Sequence, residues 1–154
     1  MAKLRGDNQT MDLLAWEPAP IVETYAPERV RTSSLRSKIA RAVSETMKDS
    51  GLTRAQISKS MGDWLGEDVT EHMLNAYASE AREDHTIPYL RLLALVHVTG
   101  DVRLLQIGAE LMDHSVIEDR YLGWVDVGRL ADHKETIDRE FAAARRMARM
   151  GVKP

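Results

Sequence analysis

Thr70, Glu71, His72, Asn75 and Ser79 recur at the spacing of one helical face, opposite the apolar Met73, Leu74, Tyr77 and Ala81. Short polar side chains set out in this way can read base edges in a major groove. Asn pairs bidentately with adenine, Glu accepts from the amino group of cytosine, and Thr, His and Ser supply single bonds. Phosphate contacts are expected from Arg36, Lys38, Arg41, Thr53, Arg54, Gln56, Lys59 and Arg82, with the amides that open the helix after Thr53 adding a local positive field. Other chemistries find little support. The five histidines stand at no paired spacing with carboxylates that would hold zinc, and Asp84 and His85 are merely adjacent. There is no phosphate-cradling glycine loop, no nucleophile elbow and no cysteine. The expectation is a protein without catalytic residues, metal or cofactor.

Those residues need a scaffold, and the apolar periodicity supplies one. Residues 1–32 hold three of the five prolines, Pro18, Pro20 and Pro27, and follow neither helical nor strand period. They read as an extended arm, expected to be mobile, whose Trp16, Ile21, Val22 and Tyr25 give it a means to dock on a phage or host protein or on its own domain. From Ser33 to Gly51, Leu35, Ile39, Ala42, Val43 and Thr46 share one face of a first helix. Thr53 and Gln56 form a capping box for a second, over 54–65, with Ile57 and Met61 inward, Trp64 or Leu65 beside them, and Gly66 after its end. Ser58 and Gly62 mark a close approach of two helices. Thr70 caps a third helix, expected over 71–81. Pro88 opens a fourth, with Leu92, Leu93 and Val96, that ends at Gly100, and Asp101 caps a fifth carrying Leu104, Leu105, Gly108 and Leu111. The expected fold is all-α: a compact five-helix bundle over 33–113 containing a helix-turn-helix, in which the second helix crosses the DNA backbone and the third enters the groove.

Residues 114–126 read as an irregular or short-strand connector. Beyond it, 127–150 is strongly helical, and Val127, Leu130, Ile137, Phe141, Ala144 and Ala148 fit the a and d positions of a heptad that Lys134 interrupts. A homo-oligomer through this helix is expected, with packing back on the bundle as the alternative.

The chain has 154 residues and a net charge of −3, which argues against indiscriminate attachment to nucleic acid. The charge is segregated, however, with 33–66 carrying a net +3, 67–86 a net −5 and 126–154 a net +2. The acidic stretch spans the third helix, so Glu80, Glu83 and Asp84 must point away from any duplex. No stretch approaches the roughly 20 apolar residues of a membrane helix, and the start lacks a signal-like apolar run; with no cysteine, the expected place is the cytoplasm of a host cell, with no membrane partner. Met11 offers a second start.

Segment 35–111 resembles the phage repressor and Cro-like helix-turn-helix class. The run from Ala76 to His85 and the run from Leu92 to Leu105 look like those of small DNA-binding regulators of Mu-like transposable phages. The resemblance covers about half of the chain. It implies a regulator of early phage functions that binds double-stranded DNA sequence-specifically, with Thr53, Arg54, Gln56, Thr70, Glu71, His72, Asn75 and Ser79 at the interface. Two readings compete with it: a non-catalytic protein–protein adaptor, and a small-terminase-like packaging component. The joint at Gly66–Val69 is longer than the tight turn of the class.

Overall fold

In the computed structural model, residues 20–82 and 84–151 are described; Trp16, Met11 and Glu83 lie outside them. The described chain is helical, with six α-helices: α1 (Leu35–Asp49), α2 (Arg54–Leu65), α3 (Glu71–Tyr77), α4 (Tyr89–Thr99), α5 (Arg103–Glu110) and α6 (Leu122–Arg149). Short 3-10 turns occupy Pro27–Arg29 and Asp119–Tyr121. No strand occurs among the described residues, and no helix there is long and apolar enough to cross a membrane.

The core follows from the apolar stripes. Val43, Ile57, Met61, Leu74 and Leu95 are wholly buried, one or two from each of α1 to α4, and α5 closes the cluster with Leu104 and Ile107. The most extensive packing is α2 against α4, then α1 against α5 and α2 against α3. Ser34, Thr53 and Thr70 cap α1, α2 and α3, each accepting from the amide three residues on. At Thr53 the box is reciprocal, since its own amide donates to Gln56 Oε1 at 2.8 Å. Asp101 supplies the cap of α5 from one residue further out than usual, Oδ1 accepting from the Arg103 amide at 3.1 Å.

Gly62 meets the close approach expected of it, although the neighbour is the turn rather than a second helix. A Cβ there would lie 2.9 Å from the Glu67 carbonyl oxygen. The amides of Gly66 and Glu67 both return to the Gly62 carbonyl, with Gly66 left-handed at φ 71°. Gly62→Ala should therefore destabilise the fold. Forcing backbone apart costs about 1–3 kcal/mol, more than the roughly 1 kcal/mol gained in helix propensity. Urea denaturation should show a lower midpoint with an unchanged slope.

Four expectations are corrected. The arm does not hang free over 20–32: Tyr25 and Val30 are buried in the core cluster, beside Lys38 of α1 and Ile107 of α5, and the Tyr25 hydroxyl bonds Thr46 of α1. α3 stops at Tyr77 and not near Ala81. The chain leaves it in successive turns at Ser79, Arg82 and His85, as Glu80 is drawn to Arg41 and Ile87 anchors the return to α4. On α5 the inward residues are Leu104 and Ile107, while Gly108 and Leu111 are exposed. The connector takes the irregular form of its two expected ones over 114–118, and is shorter than expected. It is pinned by the Val116 amide donating to the buried Gln106 Oε1 at 2.7 Å, and α6 begins five residues before the expected 127.

Candidate nucleic-acid interface

α3 is held from behind. Leu74, Ala76 and Tyr77 are buried, and Arg91 of α4 reaches across to the Tyr77 hydroxyl and to Glu67 Oε1, the latter at 3.0 Å. These partners hold the Arg91 guanidinium above its ordinary value, the Tyr77 hydroxyl first and the Glu67 carboxylate second. With its inner face fixed, α3 turns Glu71, His72 and Asn75 outward, all exposed, within an arc of about 100° at 100° per residue. Thr70 sits at the same end with its hydroxyl engaged by the Met73 amide at 3.2 Å. Ser79 does not join them. It lies past the helix end, half-buried, beside Arg36, Ser37, Tyr77 and Arg82 in a crevice between α1 and the loop to α4.

The cations expected to hold phosphates do not form one surface. At 100° per residue Arg36 and Lys38 point to opposite sides of α1, and the structure separates them accordingly. Lys38 faces Glu110 of α5 at 3.8 Å, beside Tyr25 and Val30. Arg41 is occupied, bonding Glu80 Oε1 at 2.8 Å and the Arg31 carbonyl at 2.8 Å. Arg54 lies back on α1, with Nη1 3.5 Å from Met47 Sδ. Thr53 and Gln56 engage each other's amides through their side-chain oxygens, and the Thr53 hydroxyl also faces Gln56 Oε1, which leaves the first amides of α2 and the Gln56 side-chain nitrogen for an anion. Lys59 is exposed and flanks the groove formed with Gly66–Val69, directly before α3. Arg36 and Arg82 border the α1 crevice. Of the cations expected at phosphates, Lys59 is the one that borders the groove leading into α3, and that groove also contains Asp63, Glu67 and Asp68.

Two pairings reduce the acidity that the sequence assigns to this region. Glu80 is neutralised by Arg41 and Glu67 by Arg91, each across a gap of 24 or more residues that no local pattern reveals. Asp68 and Glu71 remain exposed beside the outer face. Among the described residues, no three His, Asp or Glu side chains converge as metal ligands would.

A second polar cluster, which sequence reasoning missed, lies where the arm meets α1 and α5. The Tyr25 hydroxyl bonds Thr46 Oγ1, Thr46 donates to Asp101 Oδ2 at 2.8 Å, and Arg103 bonds both Asp101 oxygens and Asp49 while its guanidinium covers the Tyr25 ring at 4.4 Å. Arg29 completes it by bridging Glu45 at 2.6 Å and Asp49 at 2.7 Å. Burial pushes the Tyr25 phenol up, so it stays protonated. No periodicity points to Tyr25; the only signal is an aromatic residue amid prolines. With every cation matched to a carboxylate, the cluster fastens the arm and offers no free group for a ligand.

Comparison of the chain with known protein families, with curated proteins and with solved structures found no match.

Proposed function

We propose that this protein is a DNA-binding regulator of the kind its sequence resembles, reading duplex DNA through α3 and using α2 as the helix that crosses the backbone. The observation that carries the reading is the division of α3: an inner face immobilised by core packing and by Arg91, and an outer face of exposed Glu71, His72 and Asn75 with no structural task. A groove reader needs such a rigid backing, because base contacts discriminate only when their donors and acceptors are held in place. The neutralisation of Glu67 and Glu80 lowers the repulsion that the net −5 of residues 67–86 would otherwise present. Lys59 and the first amides of α2 supply the phosphate side. Ser79, Lys38 and Arg41 are left out of the interface, their side chains being turned elsewhere.

Genomic fragments captured by the purified chain and sequenced should converge on one site. On that site Asn75→Ala should weaken binding by about 1–3 kcal/mol while leaving random duplex unaffected. Lys59→Ala should weaken both alike and lower the salt slope by about one unit. Glu71→Gln should raise affinity for random duplex, since a carboxylate leaves the facing surface. Negligible affinity on every duplex, the same for all variants, would sink the reading in favour of a protein-binding adaptor.

A further inference from the structure

None of the 28 residues of α6 is buried, and its principal packing is on the short turn directly before it. Its seam is nonetheless apolar: Val127 is 53% exposed, Leu130 68%, Ile137 50% and Phe141 66%. A polar or charged stripe would be content in water; this one is not, and neither folding back on α1–α5 nor burial elsewhere in the described chain covers it.

We propose that α6 pairs with α6 of a second copy in antiparallel orientation, with Val127 opposite Ala144, Leu130 opposite Phe141 and Lys134 opposite Ile137. Shape supports this direction. The seam is bulky from Val127 to Phe141 and small at Ala144 and Ala148. A parallel pair would set Phe141 on Phe141 and then Ala144 on Ala144, an overfull layer beside a void. Running the helices in opposite senses places the small end of each on the bulky half of the other. It also moves the two Lys134 side chains out of one layer. Each opposes an isoleucine instead, and its ammonium carries its own counter-charge 2.6 Å away on Asp138.

Charge supports it independently. Between Asp126 and Glu140 five carboxylates stand among three cations, whereas the end of the helix has Arg145, Arg146 and Arg149 and no carboxylate. Parallel pairing would bring the two arginine ends together; antiparallel pairing lays each beside residues 122–126 of the other copy, where Asp126 is the one charged side chain. Register follows from the same residues. Sliding by one heptad, so that Ile137 meets Phe141, would put Asp138 and Glu140 against their own copies near the two-fold axis. A helix of 28 residues is about 42 Å long. Pairing of this kind holds the two bundles at opposite ends of a rod, a separation on the scale of the roughly 34–36 Å between half-sites one duplex turn apart. That last consequence alone rests on the DNA reading.

The chain contains no cysteine, so single thiols report orientation without background. Chains carrying Val127→Cys and Ala144→Cys, with tags of different size, are mixed, unfolded and refolded together and oxidised in a glutathione buffer, in the absence of DNA. The expected product is the disulfide joining one of each. Homotypic disulfides alone would establish a parallel pair and overturn the proposal, as would a dimer in sedimentation that forms neither. A monomer in sedimentation at tens of micromolar would overturn pairing altogether. Ile137→Asp with Phe141→Asp should abolish the mixed disulfide and halve the sedimenting mass while the thermal transition of the bundle persists, because both side chains are exposed within one copy. Retention of the mixed disulfide in that double variant would equally overturn the assigned seam.

Discussion

Tyr25→Ala is expected to destabilise the fold by about 3–5 kcal/mol, the usual cost of emptying an aromatic side chain from a core. The ring is only 6% exposed, and it is packed with Val30 and the buried face of α1 beneath the Arg103 guanidinium. Removing it opens a cavity, withdraws the phenol from Thr46 and uncovers Arg103. Tyr25→Phe separates these contributions. It keeps the ring and loses one hydrogen bond, so about 0.5–1.5 kcal/mol should follow, the more so at the low end because Thr46 retains its bond to Asp101 at 2.8 Å. Deleting residues 1–32 removes Tyr25, Val30 and Arg29 together and should exceed the single substitution. Since a domain's whole stability is of order 5–15 kcal/mol, the truncated chain is expected to be largely unfolded at 37 °C by circular dichroism. An unchanged thermal midpoint in the truncated chain would show the arm to be dispensable, against the burial of Tyr25 and Val30.

The second large effect is centred on Asp101. Its side chain is 10% exposed, and it holds Arg103 at 2.7 Å while accepting from Thr46 and from the Arg103 amide. Asp101→Ala leaves the largely buried Arg103 guanidinium with Asp49 as its one carboxylate, removes the Asp101 acceptor for Thr46 and uncaps α5; about 2–4 kcal/mol should be lost, near the lower part of the range for breaking a buried pair. Asp101→Asn keeps the shape and one acceptor and should cost less. The pH dependence has a definite sign. Burial works to raise the Asp101 carboxyl, but the Arg103 guanidinium, the Thr46 hydroxyl and the Arg103 amide together hold it below its ordinary value. Asp49, bonded first by Arg29 and then by Arg103, is held down at about 2, and the Lys48 ammonium foremost lowers Glu45. Groups whose folded values are depressed contribute stability that is complete above their unfolded values and vanishes as they protonate in the folded state. Stability should thus be level near neutrality and fall as the pH drops from about 4 towards about 2. Asp49 is exposed enough for salt to weaken its share, so the acid loss should be shallower at high ionic strength. In Asp101→Asn the acid limb should flatten; an identical limb would place the responsible carboxylates elsewhere.

Local rules made much of the helical framework legible. The box at Thr53 and Gln56, the cap at Thr70, and the helix-ending glycines Gly66 and Gly100 act within three or four residues, so neighbouring side chains suffice to foresee them. The inward residues of α2 and α3, Ile57, Met61, Leu74 and Tyr77, follow from 3.6-residue periodicity in the same way. Periodicity failed where elements are short or end by tertiary demand. Ser79 and Ala81 continue the pattern of α3, yet the helix stops because Arg41 and the Ile87 anchor pull the chain towards α1 and α4. On the eight-residue α5, a choice between Leu105 and Ile107 as the inward side chain needs knowledge of where α1 and α4 lie.

Sequence by itself determined the all-helical character, the glycine-bounded helix ends, and the stripe along α6 that distinguishes a bulky first half from a small, basic end. These depend on backbone propensity and on side chains a few residues apart. Only the tertiary structure decided that Tyr25 and Val30 belong to the core, that the expected phosphate cations point to different sides, and that Arg41 and Arg91 neutralise Glu80 and Glu67. The physical reason is the same in each case: burial and ion pairing across twenty or more residues depend on where folding brings distant chain segments, and no local pattern encodes that placement.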